Sequence, residues 1–280
     1  MTSDAERIAA LALAEDGDTD ITSALAVPLG TEGEGRLEYR TGGVVAGAAY
    51  ADAVAQACSC RIEWRAPDGR RVDPGSVIGS MRGALARMLR AERPLLNLLQ
   101  RACGVATATR AYVDAVAGTP CRILHTRKTA PGLRALDIAA VLAGGGTRHR
   151  ADLAHEVMVK DNHWQALRMA GNDLASALAE ARRRGIGSLQ VEVESPEQLE
   201  EACAAGATRL LVDNQPPATV REWAERARHL VPGIEIEATG GITLANVRAY
   251  AEAGVDYVSI GALTHSVVAA DVGLEVSAVR

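Results

Sequence analysis

The sequence lacks several features, and each absence excludes a class of protein. No apolar run approaches the roughly 18–20 residues that a membrane-spanning helix needs. The acidic start of the chain, residues 1–7, lacks the basic and then apolar pattern of a secretory signal. A net charge of −5 argues against general binding to nucleic acid. We therefore expect a cytoplasmic protein with neither a membrane nor a nucleic-acid partner.

Cysteine is sparse and scattered, at positions 58, 60, 103, 121 and 203. These five residues form no quartet with the spacing of a metal site. Reduced thiols are therefore favoured over the alternative of a soft-metal site at Cys58 and Cys60.

Lysine is almost absent, and phenylalanine is absent altogether. Only two of the 30 basic residues are lysines, Lys128 and Lys160. A general bias toward arginine explains the shortage, but not why both lysines lie in the basic motifs described below. Lysine offers a compact, mobile point charge, whereas arginine offers a rigid planar fork. We interpret the two lysines as positions that need a point charge.

The chain of 280 residues is long enough for a barrel-sized domain and a smaller one. Up to about residue 105 the sequence pattern indicates a mixture of helices and strands. It predicts helices over 2–15, over 47–58 and from 84 to about 117, and strands over 36–41, 61–65 and 76–82.

From about residue 119, strand-like and helical segments alternate. The predicted strands are 121–126, 156–160, 188–193, 209–213, 234–238 and 256–260. Alternating βα units imply a parallel sheet with right-handed crossovers. Six units predict an incomplete α/β barrel of about six strands, and a doubly wound open sheet is the competing topology.

Two of these strands carry polar residues at alternate positions. If the intervening apolar residues face the helices, the polar ones point inward: Gln190, Glu192, Glu194, Glu235 and Glu237. Buried carboxylates need cationic partners, which could be arginines that fill the barrel interior. A ligand site is favoured because the acids lie toward the C-terminal ends of the strands, where barrel active sites form.

Three basic clusters lie at predicted strand ends or in adjoining loops, at 125–129, 147–150 and 159–163. Any one basic residue is commonly a solvated surface charge, but three clusters so close together favour an anion site. Arg127 and Arg150 can each bind a planar carboxylate through two hydrogen bonds, which suits an aromatic diacid.

Two loops that contain glycine, 238–242 and 259–263, each close a strand and open a helix. Glycine permits close backbone approach, and amides at a helix N-terminus bind phosphate. Either loop could be a plain turn. Because barrels often bind phosphate in the last two βα loops, the pair predicts a phosphate site.

Long motifs along the chain match one family, in the order in which that family has them. They are EDGDTDIT (15–22), ERPLLN (92–97), TRKTAPGLR (126–134), GGG (144–146) with HR (149–150), KDNH (160–163), EVE (192–194), VDN (212–214), TGG (239–241) and GALTHS (261–266). On these motifs the sequence resembles, nearly end to end, the quinolinate phosphoribosyltransferase family, also called nicotinate-nucleotide pyrophosphorylase (carboxylating).

The resemblance implies an enzyme of NAD biosynthesis. It would convert quinolinate and 5-phosphoribosyl 1-pyrophosphate to nicotinate mononucleotide, CO₂ and pyrophosphate, with Mg²⁺ as its cofactor. The resemblance also implies a homodimer. An N-terminal α/β sandwich domain, residues 1–105 completed by 266–280, would cover the mouth of the barrel (106–265) of the partner subunit.

The resemblance assigns roles to the matching residues. Arg93 would reach the neighbouring active site, and Thr126, Arg127, His149 and Arg150 would bind the acceptor. The expected catalytic residues are Lys128 and Lys160, which would neutralise both substrates, and Glu192 and Asp213, which would hold Mg²⁺ with the ribose and pyrophosphate. The expected binders of the 5-phosphate are Thr239, Gly240, Gly241, Ile260, Gly261, Ala262 and His265.

Two residues depart from the family pattern. The family usually has Asp at the position of His125 and commonly Thr at that of Pro94. His125 removes a carboxylate beside Arg127, and Pro94 restricts the backbone of Arg93. The alternatives are therefore a related phosphoribosyltransferase for another carboxylated N-heterocycle, and a non-catalytic protein that binds phosphoribosyl ligands. Catalysis is favoured because the chain keeps the lysines and acids.

Overall fold

A computed structural model describes residues 2–154 and 156–279 of the protein. They form two compact units. The first unit comprises the residues up to 110, residues 128–146 and those from 262 onward, and the second, called the barrel unit, comprises 111–127 and 147–261. The two units interleave in sequence.

Helices and strands are mixed along the chain up to residue 115. In chain order they are α1 (Asp4–Glu15), α2 (Ile21–Ala26), β1 (Glu32–Tyr39), β2 (Gly43–Val44), α3 (Ala48–Ala57), β3 (Arg61–Trp64), β4 (Arg71–Val72), β5 (Ser76–Ala84) and α4 (Leu85–Ala115). A capping box between Ser3 and Glu6 starts α1. The three helices predicted for this region correspond closely to α1, α3 and α4.

The remaining elements follow the predicted alternation of strands and helices. They are β6 (Arg122–Leu124), α5 (Arg134–Ala143), β7 (Val157–Val159), α6 (Asp161–Met169), α7 (Leu174–Arg183), β8 (Leu189–Val193), α8 (Pro196–Ala205), β9 (Arg209–Asp213), α9 (Pro217–Leu230), β10 (Glu235–Thr239), α10 (Val247–Glu252), β11 (Tyr257–Ser259), α11 (Ala262–His265) and β12 (Val272–Val279). Within the described part of the chain, no helix is long and apolar enough to cross a membrane.

An antiparallel sheet with the strand order β12-β1-β5-β3 organises the first unit. β1 begins at Glu32, before the predicted start at residue 36. Gly33 and Gly35 obscure this start, because glycine is uncommon in strands. A Cβ at Gly33 would lie 2.9 Å from the sulfur of Met88 in α4. Glycine at position 33 therefore leaves room for the side chain of Met88 to pack on the strand.

Six parallel strands form the sheet of the barrel unit, in the order β6-β11-β10-β9-β8-β7. β6, the first of these six strands in the chain, lies beside β11, the last of them. The other strands follow in sequence order from β11 back to β7. A doubly wound sheet would instead reverse direction at a switch point. The order is that of a barrel whose seam lies between β6 and β7, so the predicted incomplete six-stranded barrel is confirmed.

Candidate active site

The register of the barrel strands places polar side chains on one face. Gln190 in β8 lies beside Arg209 in β9, and Arg209 lies beside Glu235 in β10. Residues in parallel register share a face, as do residues two apart in one strand. The shared face therefore carries Gln190, Glu192, Arg209, Asp213, Glu235, Glu237 and Thr239. Val191 and Val193 alternate with these residues, as predicted, and are fully buried.

Arg209 is the cation that balances two of the predicted inward acids. Its guanidinium lies 2.7 Å from Glu235 and 3.3 Å from Glu237. It also stacks on Tyr257, with Cζ 4.2 Å from the ring centroid. For these two acids an internal Arg–Glu network, the alternative left open by the sequence, is what the structure shows. Glu194 was expected to point inward, but it lies beyond the end of β8 and is exposed.

Two buried histidines, His125 and His149, extend this network of ion pairs. His149 lies with Nε2 3.3 Å from Glu237, and its backbone N–H donates to Nε2 of His125 at 3.0 Å. Burial raises the pKa of Glu237, but the hydrogen bonds from His149 and Ser259 and the charge of Arg209 act against it, and the pKa is lowered overall. The ring of His125, one of the two departures from the family pattern, thus contacts the backbone of His149.

The guanidinium groups of Arg127 and Arg150 lie close enough for their charges to interact. Both residues are half-buried, and Arg127 Nε is buried without a hydrogen-bond partner among the described residues. Burial, and next the charge of Arg127, lowers the pKa of Arg150, while Glu156 and Glu237 partly offset this effect. Two like charges and an unused donor make this part of the barrel unit suitable for an anion with more than one carboxylate.

Lys160 and Glu192 form an ion pair at the ends of β7 and β8. Lys160 is the N-cap of α6, and its backbone N–H donates to Nδ1 of His163 at 3.0 Å. Glu192 is buried, and its carbonyl accepts the indole N–H of Trp164 at 2.9 Å. The start of α6 thus holds both partners, and the structure brings together two of the predicted catalytic residues.

Asp213 ends β9 in register with Thr239, which ends β10. Asn214 donates from its side chain to Asp213 at 2.6 Å and from its backbone N–H to the carbonyl of Thr239 at 2.9 Å. Gly240 has a φ of +84°, and a Cβ there would collide with the side chain of Asn214. Gly241 also has a positive φ. The tight turn after β10 therefore requires glycine at 240 for both its backbone angle and its packing.

The second predicted phosphate loop follows β11. Ile260 is buried, and its backbone N–H donates to the carbonyl of Leu124 in β6 at 3.1 Å. Gly261 follows within the barrel unit, whereas Ala262 opens the four-residue helix α11 and groups with the first unit. Only the first part of this predicted loop therefore belongs to the barrel unit.

Four predicted site residues lie in the first unit: Arg93, Lys128, Ala262 and His265. Arg93, Lys128 and His265 are exposed. The hydroxyl of Thr264 donates to the carbonyl of Lys128 at 2.8 Å, which ties the turn before His265 to the loop that carries Lys128. Within the first unit, this hydrogen bond thus links the backbone segments that carry Lys128 and His265.

Pro94 was expected to restrict the backbone of Arg93 toward an extended conformation. Both residues instead lie inside α4, which runs unbroken from Leu85 to Ala115. The long helix overrides the local preference of the residue before proline.

A buried ion pair escaped the sequence analysis. Arg101 donates two hydrogen bonds to Asp137, at 2.7 and 2.8 Å, and a third to the carbonyl of Thr264 at 2.9 Å. Asp137 is fully buried between Leu136 and Ile138 in α5. An acidic residue inside an apolar helical run is the signal that predicts such a buried partner.

Comparison with known proteins agrees with this geometry. The profile for the N-terminal domain of quinolinate phosphoribosyl transferase matches residues 20–103, and that for its C-terminal domain matches residues 105–275. The nicotinate-nucleotide pyrophosphorylase [carboxylating] of Mycobacterium leprae is 40% identical over 260 residues, which cover 91% of this chain and 90% of that protein. The chloroplastic enzyme of that name from Arabidopsis thaliana is 37% identical, over 98% of this chain and 83% of its own.

Solved structures show the same relationship. The nicotinate-nucleotide pyrophosphorylase of Francisella tularensis superimposes with a TM-score of 0.90 at 30% identity, covering 99% of this chain and 98% of its own. That of Ehrlichia chaffeensis gives a TM-score of 0.89 at 29% identity, over 99% of this chain and 100% of its own. The chain therefore belongs to the quinolinate phosphoribosyl transferase family.

Proposed function

We propose that the protein transfers the phosphoribosyl group of 5-phosphoribosyl 1-pyrophosphate to quinolinate and forms nicotinate mononucleotide, CO₂ and pyrophosphate for NAD biosynthesis. Its relatives are named for this reaction. The observation that carries the proposal is the pair formed by Arg127 and Arg150, with its buried, unused N–H. Quinolinate has two adjacent carboxylates, and a pair of planar guanidinium groups suits them.

The alternatives have less support. A different carboxylated N-heterocycle as acceptor is disfavoured because the related sequences carry the names of quinolinate or nicotinate-nucleotide enzymes. A non-catalytic binding protein would have no need to keep an ion pair between Lys160 and the buried Glu192.

Glu192 and Asp213 are proposed to hold Mg²⁺ together with the substrate. They end the neighbouring strands β8 and β9 and share one face of the sheet. Mg²⁺ is usually bound by one or two carboxylates together with substrate phosphates, and these two residues fit that pattern. Within the described ranges, no group of three or more His, Cys, Asp and Glu could supply a complete protein cage. When bound, Mg²⁺ would neutralise charge on the pyrophosphate.

The reaction breaks the bond between ribose C1 and the pyrophosphate oxygen and forms a bond between C1 and the pyridine nitrogen. Lys160 and Lys128 are proposed to stabilise the negative charge that develops on the departing pyrophosphate. Glu192 is proposed to stabilise the positive charge at C1, as carboxylates do in glycoside chemistry. The resulting pyridinium accepts the electron pair released when the C2 carboxylate leaves as CO₂, and a proton then adds at C2.

The turn formed by Thr239, Gly240 and Gly241 is proposed to bind the 5-phosphate of the sugar. The loop of Ile260, Gly261 and Ala262 would contribute amides, with His265 following it in the chain. Gly240, which has a positive φ and is closely packed, supports this role because residues 240 and 241 place no side chain of their own in the turn. Thr126, which directly precedes Arg127, is proposed to contact the acceptor.

The homodimer belongs to the same proposal, with Arg93 reaching the active site of the partner subunit. Its exposure on α4 leaves the guanidinium free to serve another chain. A cytoplasmic location is proposed as well, in keeping with reduced cysteines.

The function is tested by turnover. The protein is incubated with phosphoribosyl pyrophosphate, Mg²⁺ and quinolinate, and nicotinate mononucleotide and CO₂ are measured. Nicotinate and pyridine-2-carboxylate, which each lack one carboxylate, serve as comparison acceptors. We expect product from quinolinate alone. Turnover of another acid without turnover of quinolinate would contradict the assigned acceptor, and no turnover of any acid would contradict the reaction class.

A further inference from the structure

His125 occupies a fully buried position directly after β6. Its Nε2 accepts the backbone N–H of His149 at 3.0 Å, and its Nδ1 lies 3.2 Å from the carbonyl of Thr126. A carbonyl can only accept, and a backbone N–H can only donate. Both contacts are satisfied together only when the ring is neutral and carries its proton on Nδ1.

His149 extends the same chain of hydrogen bonds. Its Nδ1 accepts the backbone N–H of Arg150 at 2.7 Å, which leaves the proton on Nε2 to be donated to Glu237 at 3.3 Å. Imidazole nitrogens therefore accept the backbone N–H groups of two consecutive residues, His149 and Arg150. The first of these acceptors directly follows β6, and the segment that leads to His149 runs beside that strand, since Thr147 forms a parallel bridge with Leu124.

We propose that His125 is a positioning residue, a neutral Nδ1–H imidazole that holds the backbone of His149 and Arg150 and thereby sets the affinity for the acceptor's carboxylates. This inference rests on the proposed function, because it takes His149 and Arg150 as acceptor-binding residues. His125 itself has no contact with substrate in this account. Its effect is transmitted through one hydrogen bond.

Protonation of His125 would place an N–H against the N–H of His149. Burial lowers the pKa of His125, positive charge on His149 when that ring is protonated and on Arg148 acts in the same direction, and the hydrogen bonds to Thr126 and His149 offset this only in part. Arg148 is the permanently charged group that acts on the ring, and it disfavours the imidazolium. The ring is therefore neutral near pH 7, and acceptor binding should weaken as the pH falls through its lowered pKa.

Two variants separate this role from a general loss of packing. In His125→Gln the amide oxygen can reach the former Nε2 position but does not titrate, whereas His125→Leu removes the acceptor. We expect KM for quinolinate to rise about tenfold in His125→Leu, since a buried donor loses its partner. KM for phosphoribosyl pyrophosphate should stay within about twofold, and His125→Gln should keep most of the affinity. The exposed His229→Asn is the matched control.

The pH profile gives a readout that packing alone would not move. The ratio of KM for quinolinate between the wild type and His125→Gln should rise as the pH falls below 6.5 and through the lowered pKa of the ring, which the nitrogen-15 titration of His125 locates, because only the wild type carries the titrating ring. The corresponding ratio for His229→Asn should stay flat. A wild type to His125→Gln ratio that does not change with pH would overturn the inference.

The tautomer is measured independently of activity. Nitrogen-15 spectra of histidine-labelled protein, with His125→Gln for assignment, should show His125 at pH 7.5 with a pyrrole-like Nδ1 and a pyridine-like Nε2. A proton on Nε2, or on both nitrogens, would overturn the inference even if quinolinate is turned over. If the wild type has no turnover, the proposed function fails, and the spectrum still decides whether His125 holds the backbone of His149.

Discussion

Lys160 and Glu192 form an ion pair that joins the ends of two neighbouring barrel strands, and Glu192 is buried there. Among the residues that the structure describes, Lys160 is the cation paired with this buried carboxylate, and removing one partner of such a pair is costly. This relationship makes the pair the centre of the proposed charge stabilisation.

Removing either of two proposed catalytic residues, Glu192 or Lys128, should slow the reaction severely. We expect Glu192→Ala, and separately Lys128→Ala, to lower kcat at least ~100-fold, as the loss of one key electrostatic contact often does. Steady-state kinetics would measure the effect, with the exposed Glu201→Ala of α8 as a control. Near-normal rates in both variants would remove these residues from the mechanism.

Arg127→Lys should weaken the acceptor and spare the phosphoribosyl donor. Lysine keeps the charge but loses the planar fork and the buried Nε donor. We expect KM for quinolinate to rise about tenfold or more, from the loss of a charge-assisted hydrogen bond. The exposed Arg221→Lys serves as the control. Equal increases in KM for both substrates would argue against a specific acceptor clamp.

Gly240→Ala tests the turn after β10 against a matched glycine. Gly240 and Gly233 have similar positive φ values, +84° and +88°, but a Cβ at Gly233 would meet nothing within 4 Å. Gly233→Ala should therefore cost only the backbone strain, about 1–2 kcal/mol. Gly240→Ala should cost more, because the methyl group collides with Asn214, and it should also raise KM for phosphoribosyl pyrophosphate. Denaturant unfolding and kinetics of both variants provide the comparison, and equal losses would contradict it.

Arg209 should be a stabilising residue with no direct part in catalysis. It is mostly buried between Glu235 and Glu237, and its removal leaves Glu237 buried without this cation. We expect Arg209→Met to lower the free energy of unfolding by about 3–5 kcal/mol. An unchanged unfolding midpoint in denaturant would show that the network contributes nothing.

The same network should make stability depend on pH. The pKa of Glu237 is lowered from 4.5 in the folded state, so the unfolded state binds its proton first as the pH falls. Its contribution is present above pH 4.5 and is lost as the pH falls through the lowered value. Glu237→Gln should therefore flatten the stability curve below pH 4.5. An identical acid limb in both proteins would contradict this assignment.

Arg93 offers a test of the proposed dimer. If it serves the partner's active site, Arg93→Ala and Lys160→Ala should each be inactive as pure proteins. After co-refolding, a mixed dimer contains one site with both native residues, and activity should return. Failure of the mixture to regain activity, with dimers seen by light scattering, would place Arg93 in its own subunit's site.

Much of the fold follows from local pattern. The six barrel strands were predicted because each is a short apolar run between helical segments, and Val191 and Val193 gave the facing of β8. The start of β1 was not predictable, because Gly33 and Gly35 weaken the strand pattern, while the side chains packed nearest to them, Met88 in α4 and Leu274 in β12, are distant in the sequence. Local sequence contains no information on such packing.

The site was predictable only in part, for a similar reason. The inward orientation of Glu235 and Glu237 in β10 follows from the alternation of residues in a strand. Their pairing with Arg209 can be recognised only once the register between β9 and β10 is known. The hydrogen bond from His149 to His125 likewise joins residues that α5 separates in the chain. Contacts across elements depend on the tertiary fold, and the sequence supplies the residue types without their pairing.

Binding of an aromatic diacid by Arg127 and Arg150 can be seen in a crystal structure with quinolinate and a non-reactive phosphoribosyl pyrophosphate analogue. We expect one quinolinate carboxylate within hydrogen-bond distance of Arg127 Nε and the second carboxylate on Arg150. Quinolinate bound elsewhere, with Arg127 Nε still unpaired, would contradict it.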